Sequence, residues 1–141
     1  MAAPTEPSKL DSPSPDVPDL PAIVRRADSV PAQEVAVGNQ AKVQVLLGPE
    51  DGMPNFALRR FLMAEGGGMP LHTNTVEHEQ FVLRGRARVL IGDQTLEVSA
   101  GNVLFIPGGV PHSYSVVEGP FEFLCIVPNS PDRLEILDSS C

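Results

Sequence analysis

The stretch HTNTVEHEQFVLRGRARVLIGDQTLEVS, residues 72–99, alternates apolar and polar residues over much of its length. Ala87, Val89 and Ile91 form one apolar face, and the arginines between them occupy the other. A period of two is typical of strands, because successive side chains of a strand point to opposite faces of a sheet. The pair Gly92–Asp93 is typical of a tight hairpin turn. This stretch therefore predicts antiparallel strands.

Further segments with the same period follow one another along most of the chain. Short apolar segments bounded by Gly, Pro, Asn or Asp predict strands. They are KVQVLLG (42–48), NFALRRFLMAE (55–65), EQFVLRG (79–85), RARVLIG (86–92), QTLEVS (94–99), NVLFIP (102–107), PHSYSVV (111–117) and FEFLCIVP (121–128). Only PDRLEILD, 131–138, is a weak helix candidate, and EGGG, 65–68, is interpreted as a flexible turn that brings His72 inward. Many short strands at even spacing predict an all-β sandwich or barrel.

Proline and glycine divide the chain into a tail and one domain. Seven of the 15 prolines fall within residues 1–31, and all 12 glycines lie between Gly38 and Gly119. Residues 1–29 are polar, acidic and proline-rich, which predicts a disordered N-terminal tail. The alternative is an arm that docks on a partner subunit. Residues 30–141 are expected to form a single folded domain, a size that buries a real core.

The overall charge and the apolar runs exclude several function classes. The net charge of −8 argues against binding to nucleic-acid phosphates, which needs a basic face. No apolar run approaches the ~20 residues that span a bilayer, and the N-terminus lacks a signal-peptide pattern, so we expect a soluble, cytoplasmic protein without membrane contact. Of the two cysteines, Cys125 lies in an apolar run and is predicted to be a small buried hydrophobe. Cys141 is expected to be free in solvent.

The three histidines of the chain, His72, His78 and His112, lie within 41 positions. In an unbroken strand, parity places His72, Asn74, His78 and Gln80 on one face. Neutral imidazole is a common ligand of first-row transition metals, and three imidazoles from neighbouring strands would leave open positions on an ion. The alternative is a set of hydrogen-bonded core histidines. Polar side chains on an inner face must either bind a metal or be hydrogen-bonded, because uncompensated burial of a polar group is costly.

Two segments resemble the motifs of the small, single-domain bacterial cupins. The first motif has a glycine, then HxH, then a third ligand and a glycine seven residues later. The corresponding residues here are Gly66 or a neighbour, His72, Asn74, His78 and Gly85. The second motif matches GNVLFIPGGVPH, 101–112, through Gly101, Pro107, Gly109 and His112. The runs VLRG, PNFALRRF, EHE and FLCIVP are similar to the same group, so the resemblance covers residues from about 40 to 128.

This resemblance implies a double-layered antiparallel barrel, a jelly roll, with a metal ion inside. The third ligand of the family is usually glutamate, but here His78 takes that position and Glu79 points away. A subgroup of small cupins uses four histidines, and this chain departs from it at Asn74. Asn74 either coordinates through its carbonyl oxygen, or holds a water molecule that the metal binds, or marks a site that has lost tight metal binding. Gln80 could offer a second amide oxygen, and we favour instead a hydrogen-bond donor behind the ligands.

The implied cofactor is a divalent transition metal. Three neutral imidazoles with oxygen ligands suit Fe(II), Mn(II), Zn(II), Ni(II) or Co(II), and among these we favour Fe(II) or Mn(II). Because no ligand is a carboxylate, the ion would keep its full positive charge. An anionic small-molecule substrate, such as an enolate or a carboxylate, is therefore expected.

Two further residues are candidates for catalysis. Tyr114 lies two residues after His112 and so shares its face, where it either acts as a general acid or orients the substrate, or is a barrel-lining aromatic. Arg59 and Arg60 are adjacent, so one of them must point inward and could bind a carboxylate. We take Arg60 as the catalytic candidate. The alternative for these arginines is an outer ion pair at an edge or a dimer interface.

The predicted function is a metal-dependent dioxygenase that acts on a small organic substrate. The first alternative keeps the metal but not oxygen, as in the isomerases, lyases and polyketide cyclases among small cupins. The second alternative is a non-catalytic cupin that binds a small ligand. Since cupins of this size usually pair, we expect a homodimer, with N-terminal strands that could be swapped.

Overall fold

The computed structural model describes residues 20–137, so the predictions for residues 1–19 and for Cys141 lie outside the described residues. The described chain consists of strands and two short 3-10 turns. The strands are β1 (Gln33–Glu34), β2 (Asn39–Leu47), β3 (Phe56–Asn74), β4 (His78–Ile91), β5 (Gln94–Ser99), β6 (Val103–Ile106), β7 (His112–Pro128) and β8 (Leu134–Ile136), and the 3-10 turns are Ala27–Ser29 and Pro49–Asp51. Between residues 20 and 137, no helix is long and apolar enough to cross a membrane. The all-β prediction is confirmed.

Strand β7 lies at the centre of the sheet, between β3 and β4. It pairs antiparallel with β3 from Phe56 opposite Pro128 to His72 opposite His112. It pairs antiparallel with β4 from Glu79 opposite Ile126 to Ile91 opposite His112. On the far side of β4 lie β5 and β6, and on the far side of β3 lie β2 and β8. The histidine at the start of β7 is therefore in register with residues of both neighbouring strands.

The inner face of this sheet forms the core, as the period of two predicted. Ala87 and Val89 are fully buried, and Ile91 packs against the same cluster. Of the arginines that alternate with them, Arg86 is half-buried and Arg88 is exposed. The largest core side chains are Phe121 and Phe123, each 1% exposed, whose rings lie 5.4 Å apart.

The long strands contain the glycines that were predicted to end them. The EGGG segment lies inside β3, and Gly85 lies inside β4, so the predicted flexible turn and the predicted break after VLRG are both wrong. A Cβ atom at Gly68 would lie 2.0 Å from the backbone oxygen of Tyr114. At Gly85, where φ is +82°, it would lie 2.3 Å from the backbone oxygen of Pro120. Glycine is present because neighbouring backbones approach closely there, and the strands bend rather than stop.

The weak helix candidate at 131–138 is also wrong, because its centre is strand β8. Leu134–Ile136 pairs antiparallel with the end of β3, from Asn74 to His72. The carboxylate of Asp132 accepts hydrogen bonds from the backbone N–H groups of Thr75, at 2.9 Å, and Val76, at 3.3 Å. These contacts hold the segment against β3, so a partner strand overrides a local pattern that is compatible with a helix.

Part of the predicted tail is packed on the domain. Residues 20–29 belong to the described chain, and the side chain of Gln44 donates hydrogen bonds to the carbonyls of Ala27, at 3.0 Å, and Val30, at 2.7 Å. Arg25 and Asp51 form an ion pair of 3.1 Å. The packed chain therefore begins before residue 30, the boundary that composition suggested, because Gln44 supplies hydrogen bonds that composition cannot show.

Candidate metal centre and ligand cavity

A cavity of about 170 Å³ lies inside the barrel and is lined by most of the predicted site residues. Its walls come from β2, β3, β4, β7 and β8. Lining residues from the sequence prediction are His72, Asn74, His78, Gln80, His112 and Tyr114. The other walls are mainly apolar and include Phe61, Met63, Met69, Phe123 and Leu134. The cavity is thus an apolar chamber with a few converging polar groups, which is typical of small-molecule sites.

His72 and His112 form a matched pair across β3 and β7. The two residues are in register, and their ring centroids lie 4.2 Å apart. The Nδ1 of His72 lies 2.7 Å from the carbonyl oxygen of Pro70, and the Nδ1 of His112 lies 3.0 Å from that of Val110. A carbonyl oxygen only accepts, so Nδ1 carries the proton in both rings and Nε2 keeps its lone pair. This arrangement of the outer nitrogen is typical of metal-binding histidines.

His78 and Asn74 are linked to each other and to Asp132. Asn74 donates from Nδ2 to a carboxylate oxygen of Asp132 at 3.0 Å, which directs its amide oxygen to the other side. That oxygen lies 3.0 Å from Nε2 of His78, so this nitrogen donates to it. The Nδ1 of His78 is then an unprotonated acceptor, and it is buried without a hydrogen-bond partner. The structure thus shows that Asn74 presents oxygen, rather than nitrogen, toward the histidines.

The donor atoms at this site are of the types that bind a transition metal, but their present positions do not form a metal site. They offer two free Nε2 lone pairs, one orphaned imidazole nitrogen and one amide oxygen, which suit first-row divalent ions. Within residues 20–137, no group of three or more His, Cys, Asp or Glu side chains is arranged so that it could hold a metal ion. In this structure the Nε2 of His78 is hydrogen-bonded to the amide oxygen of Asn74. An incoming ion would have to replace that hydrogen bond, which needs movement of one side chain.

Burial keeps the imidazoles neutral near pH 7. Burial lowers the pKa of His78 to about 4, and the charge of Arg59 adds to the effect. Burial also lowers the pKa of His112 to about 4, although its hydrogen bond to Val110 acts in the opposite direction. The pKa of His72 is lowered for the same main reason. Since neutral imidazole is the form that binds a metal, these rings need not lose a proton first.

We predict that the metal-free protein loses stability as the pH falls from 6.5 to about 4. In this window the unfolded histidines bind protons, whereas His78 and His112 in the folded protein stay neutral. The free energy of unfolding should fall by on the order of 3 kcal/mol for each ring, and above the window neither ring contributes. Urea unfolding across this range measures the slope. The double variant His78→Gln, His112→Gln should flatten it, and an unchanged slope in that variant contradicts the prediction.

A second prediction concerns Asn74, which lies where an imidazole would give the site a fourth histidine. Asn74→His is expected to raise the affinity for Zn(II) about 10-fold or more, because imidazole is the stronger ligand. Asp132 would accept a hydrogen bond from the introduced ring, as carboxylates do behind zinc-bound histidines. Competition with a colorimetric chelator measures the affinity, with Asn74→Leu as the control that should bind no tighter than wild type. An affinity that does not rise in a folded Asn74→His variant contradicts the prediction.

The predicted catalytic tyrosine and the predicted supporting glutamine contact each other. Gln80 donates from Nε2 to the hydroxyl of Tyr114 at 2.7 Å. The phenolic oxygen is therefore an acceptor in this contact, and its own hydrogen is free for another partner. Burial raises the pKa of Tyr114, so the hydroxyl stays protonated at neutral pH. Its ring stacks on Phe123 at 5.3 Å and meets His112 edge-on at 6.0 Å.

The inward arginine is Arg59, not Arg60. Arg60 binds Glu122 at 2.7 Å and Asp28 at 3.5 Å, away from the cavity. The expected catalytic role of Arg60 thus loses its geometric basis, and the outer ion pair that was the alternative is what the structure shows. Arg59 lines the cavity instead, where its Nη2 donates to the sulfur of Cys125 at 3.3 Å. Parity alone could not choose between adjacent residues, because the choice depends on the register with β7.

Sequence reasoning did not name Asp132 as a site residue, and it predicted Cys125 only as a core residue. Cys125 is buried as predicted, at 1% exposure, but it also lines the cavity. Asp132 fixes the orientation of Asn74, and burial, which raises its pKa, is outweighed by hydrogen bonds from Val76, Thr75 and Asn74, so its pKa lies below the usual value. It lies 58 residues from Asn74. The only sequence signal for Asp132 was its position just before LEIL, 134–137, a short segment with the period of a strand.

Comparison with known proteins finds a cupin domain and similar cupin structures. The cupin domain model matches residues 59–127. The polyketide cyclase RemF from Streptomyces resistomycificus is 29% identical, with a TM-score of 0.74 over 84% of this chain and 88% of that chain. A cupin 2 domain-containing protein from Halorhodospira halophila is also 29% identical, with a TM-score of 0.66 over 76% of this chain and 75% of that chain.

The fold of a third structure agrees. Rru_A2000 from Rhodospirillum rubrum, a cupin-2 domain, has a TM-score of 0.71 at 24% identity, over 89% of this chain and 86% of that chain. No curated protein matches the chain in sequence. The matched segment runs from Arg59 to Val127 and so contains the three histidines, Asn74, Gln80 and Tyr114. Residues 59–127 therefore match a cupin domain, and the all-β barrel is the jelly roll of the cupin structures that the chain resembles.

Proposed function

We propose that this protein is a metal-dependent cupin enzyme that acts on the carbonyl group of a small organic molecule without oxygen, as a cyclase, isomerase or lyase. One observation carries the proposal: neutral imidazoles, an amide oxygen and the hydroxyl that Gln80 holds on Tyr114 face an apolar cavity that no Asp or Glu of the described chain lines. The similarity to a protein named as a polyketide cyclase favours this chemistry over the dioxygenase predicted from sequence. Both hypotheses share the same histidines.

The chain supplies the ligands and the hydrogen bonds of this reaction. His72, His78 and His112 would hold the metal, with Asn74 at or beside the fourth position. When bound, a divalent metal supplies Lewis-acid polarisation of a carbonyl oxygen. The free hydrogen of Tyr114 can donate to the same oxygen as it gains negative charge, and Gln80 holds the hydroxyl in place. The apolar walls exclude water, which strengthens that hydrogen bond.

The cavity also limits the size of the substrate. An engineered cavity of about 150 Å³ binds benzene, so this cavity holds a group of roughly one ring. Phe61, Phe123 and Tyr114 form a column of near-parallel rings, with centroid distances of 5.0 and 5.3 Å. A ring-bearing ketone therefore suits the space better than a sugar, whose hydroxyls would lack partners.

The first test is metal content together with carbonyl activation. Protein purified without chelator or nickel affinity is expected to contain stoichiometric divalent metal by elemental analysis. Acetophenone in D2O should then exchange its methyl protons with solvent, which takes the proton once the carbonyl is polarised. NMR should show the same exchange rate under nitrogen and under air. Loss of exchange after chelation and recovery with metal support the proposal. Oxygen consumption would instead favour the dioxygenase, and protein that binds no metal even after reconstitution would favour the ligand-binding module.

We also propose that two copies pair through the outer face of β4 and β6. Phe81 and Val103 are opposite each other in this pair, and Phe105 follows on the same face; they are 45%, 73% and 56% exposed. A contiguous apolar surface is best covered by a second copy, since a two-fold contact is self-complementary. Sedimentation equilibrium should show a dimer that Phe105→Asp converts to a monomer with an unchanged circular dichroism spectrum. A monomeric wild type contradicts this proposal.

A further inference from the structure

Arg59 brings a positive charge into the cavity that no carboxylate balances. Its Nη2 donates to the sulfur of Cys125, its guanidinium lies 5.0 Å from the ring centre of Phe61, and its Nε is buried without a hydrogen-bond partner. In the described chain Arg59 takes part in no ion pair, whereas its neighbour Arg60 binds two carboxylates. A thiol and an aromatic face are weak partners for a guanidinium compared with a carboxylate.

Folding alone does not account for this arrangement. A charge that is partly removed from water is costly unless a counterion and hydrogen bonds compensate it. The described residues that line the cavity include three neutral histidines but no Asp or Glu. The missing counterion must therefore come from outside the described residues 20–137, and a ligand in the cavity can provide it.

The position of Arg59 relates it to the reacting end of the cavity. Arg59 is opposite Cys125 on β7, and Cys125 is opposite Gln80 on β4, so these three side chains form one row across the inner face. Gln80 in turn holds the hydroxyl of Tyr114. The column of rings follows the same path, since Arg59 lies over Phe61 and the column ends at Tyr114 beside His112. Arg59 thus lies at the Phe61 end of an aromatic wall whose other end meets His112.

We infer that Arg59 binds the acidic group of the substrate, and that the substrate is a ring-bearing organic acid whose carboxylate or phenolate faces Arg59. The identity of the opposite, reacting end as a carbonyl rests on the proposed function. The planar guanidinium matches a carboxylate with two parallel hydrogen bonds, and Nε and Nη2 on one side of it are the groups that lack strong partners. Arg59 is thus the residue that selects charged over neutral ring compounds.

The test uses benzoate as the probe and benzamide as its neutral counterpart. Titration calorimetry is done on chelator-treated protein, so that no metal contributes to binding. Wild type should bind benzoate at least 10-fold more tightly than benzamide. Arg59→Gln should weaken benzoate binding roughly 10- to 100-fold and leave benzamide binding unchanged. Arg59→Lys should bind benzoate with intermediate affinity, and Arg88→Gln, which removes an exposed arginine, should bind like wild type.

A thermal melt separates a binding role from a structural one. Because the charge of Arg59 lacks a counterion, Arg59→Gln should melt at the same temperature as wild type or higher. A large fall in melting temperature would show that Arg59 supports the fold, and would overturn the inference. Equal affinity for benzoate and benzamide, benzoate binding that Arg59→Gln does not weaken, or no benzoate binding by wild type would also overturn it.

The outcome is independent of the metal. Arg59-dependent benzoate binding in a protein that never takes up metal would support this inference while the proposed enzyme function fails. Stoichiometric metal without Arg59-dependent binding would do the reverse.

Discussion

His112→Ala is expected to abolish stoichiometric metal binding. His112 is 1% exposed, and its ring lies 4.2 Å from that of His72 and 5.5 Å from that of His78. It is thus the imidazole that neighbours both of the others. Replacing a group that only supports a ligand typically costs 10- to 100-fold in metal affinity, so removing the central ligand should cost about 100-fold or more.

The measurement is elemental analysis, followed by chelator competition with Zn(II). Ser113→Ala is the matched control, because Ser113 lies on the same strand with its side chain on the opposite face, and it should retain full metal content. Removal of a buried ring could also disturb the fold, so His112→Gln, which fills more of the space, is measured in parallel with circular dichroism. A folded His112→Gln or His112→Ala protein that retains stoichiometric metal would refute the metal centre.

Tyr114→Phe is expected to lower the rate of acetophenone proton exchange by about 100- to 1000-fold, the effect of losing one hydrogen bond to a developing oxyanion. The hydroxyl is held by Gln80 and keeps its proton, because burial raises the pKa of Tyr114. The loss should fall on kcat rather than on KM, because the hydrogen bond strengthens as charge develops. Metal content should not change.

The control for this variant concerns Gln80, which loses the hydroxyl of Tyr114 as its hydrogen-bond acceptor. In Tyr114→Phe the amide of Gln80 faces a ring, which costs about 1–3 kcal/mol of stability. The double variant Tyr114→Phe, Gln80→Leu removes that cost and should recover the melting temperature without recovering the rate. If the rate returns with stability, Tyr114 has a structural role only, and a rate within about threefold of wild type in the single variant also counts against the mechanism.

The shared face of the proposed metal ligands was predictable because it depends on local parity. His72, Asn74, His78 and Gln80 alternate along the chain, and an extended backbone puts alternate side chains on one face. All four line the same cavity, and so do His112 and Tyr114. The cupin motifs added the expectation that the two segments meet.

Three features could not be predicted, because each depends on residues that are far apart in sequence. The inward arginine is Arg59 because the register with β7 places it opposite Cys125. Asn74 presents its oxygen to His78 because Asp132, on another segment, takes its amide hydrogen. A segment with a helical pattern became β8 because the end of β3 offered it a partner.

The glycines at 66–68 also show that a local pattern and a tertiary contact can explain the same residue differently. Local pattern interprets GGG at 66–68 as a turn, because glycine is common where a chain reverses. The structure needs Gly68 for another reason: the backbone oxygen of Tyr114 lies where a Cβ would be. Sequence by itself thus determined the all-β class and which side chains share a face, since both follow from the period of the backbone. Tertiary structure alone decided which strand ends meet, which way an amide faces and where an unpaired charge lies, because those depend on the register between distant segments.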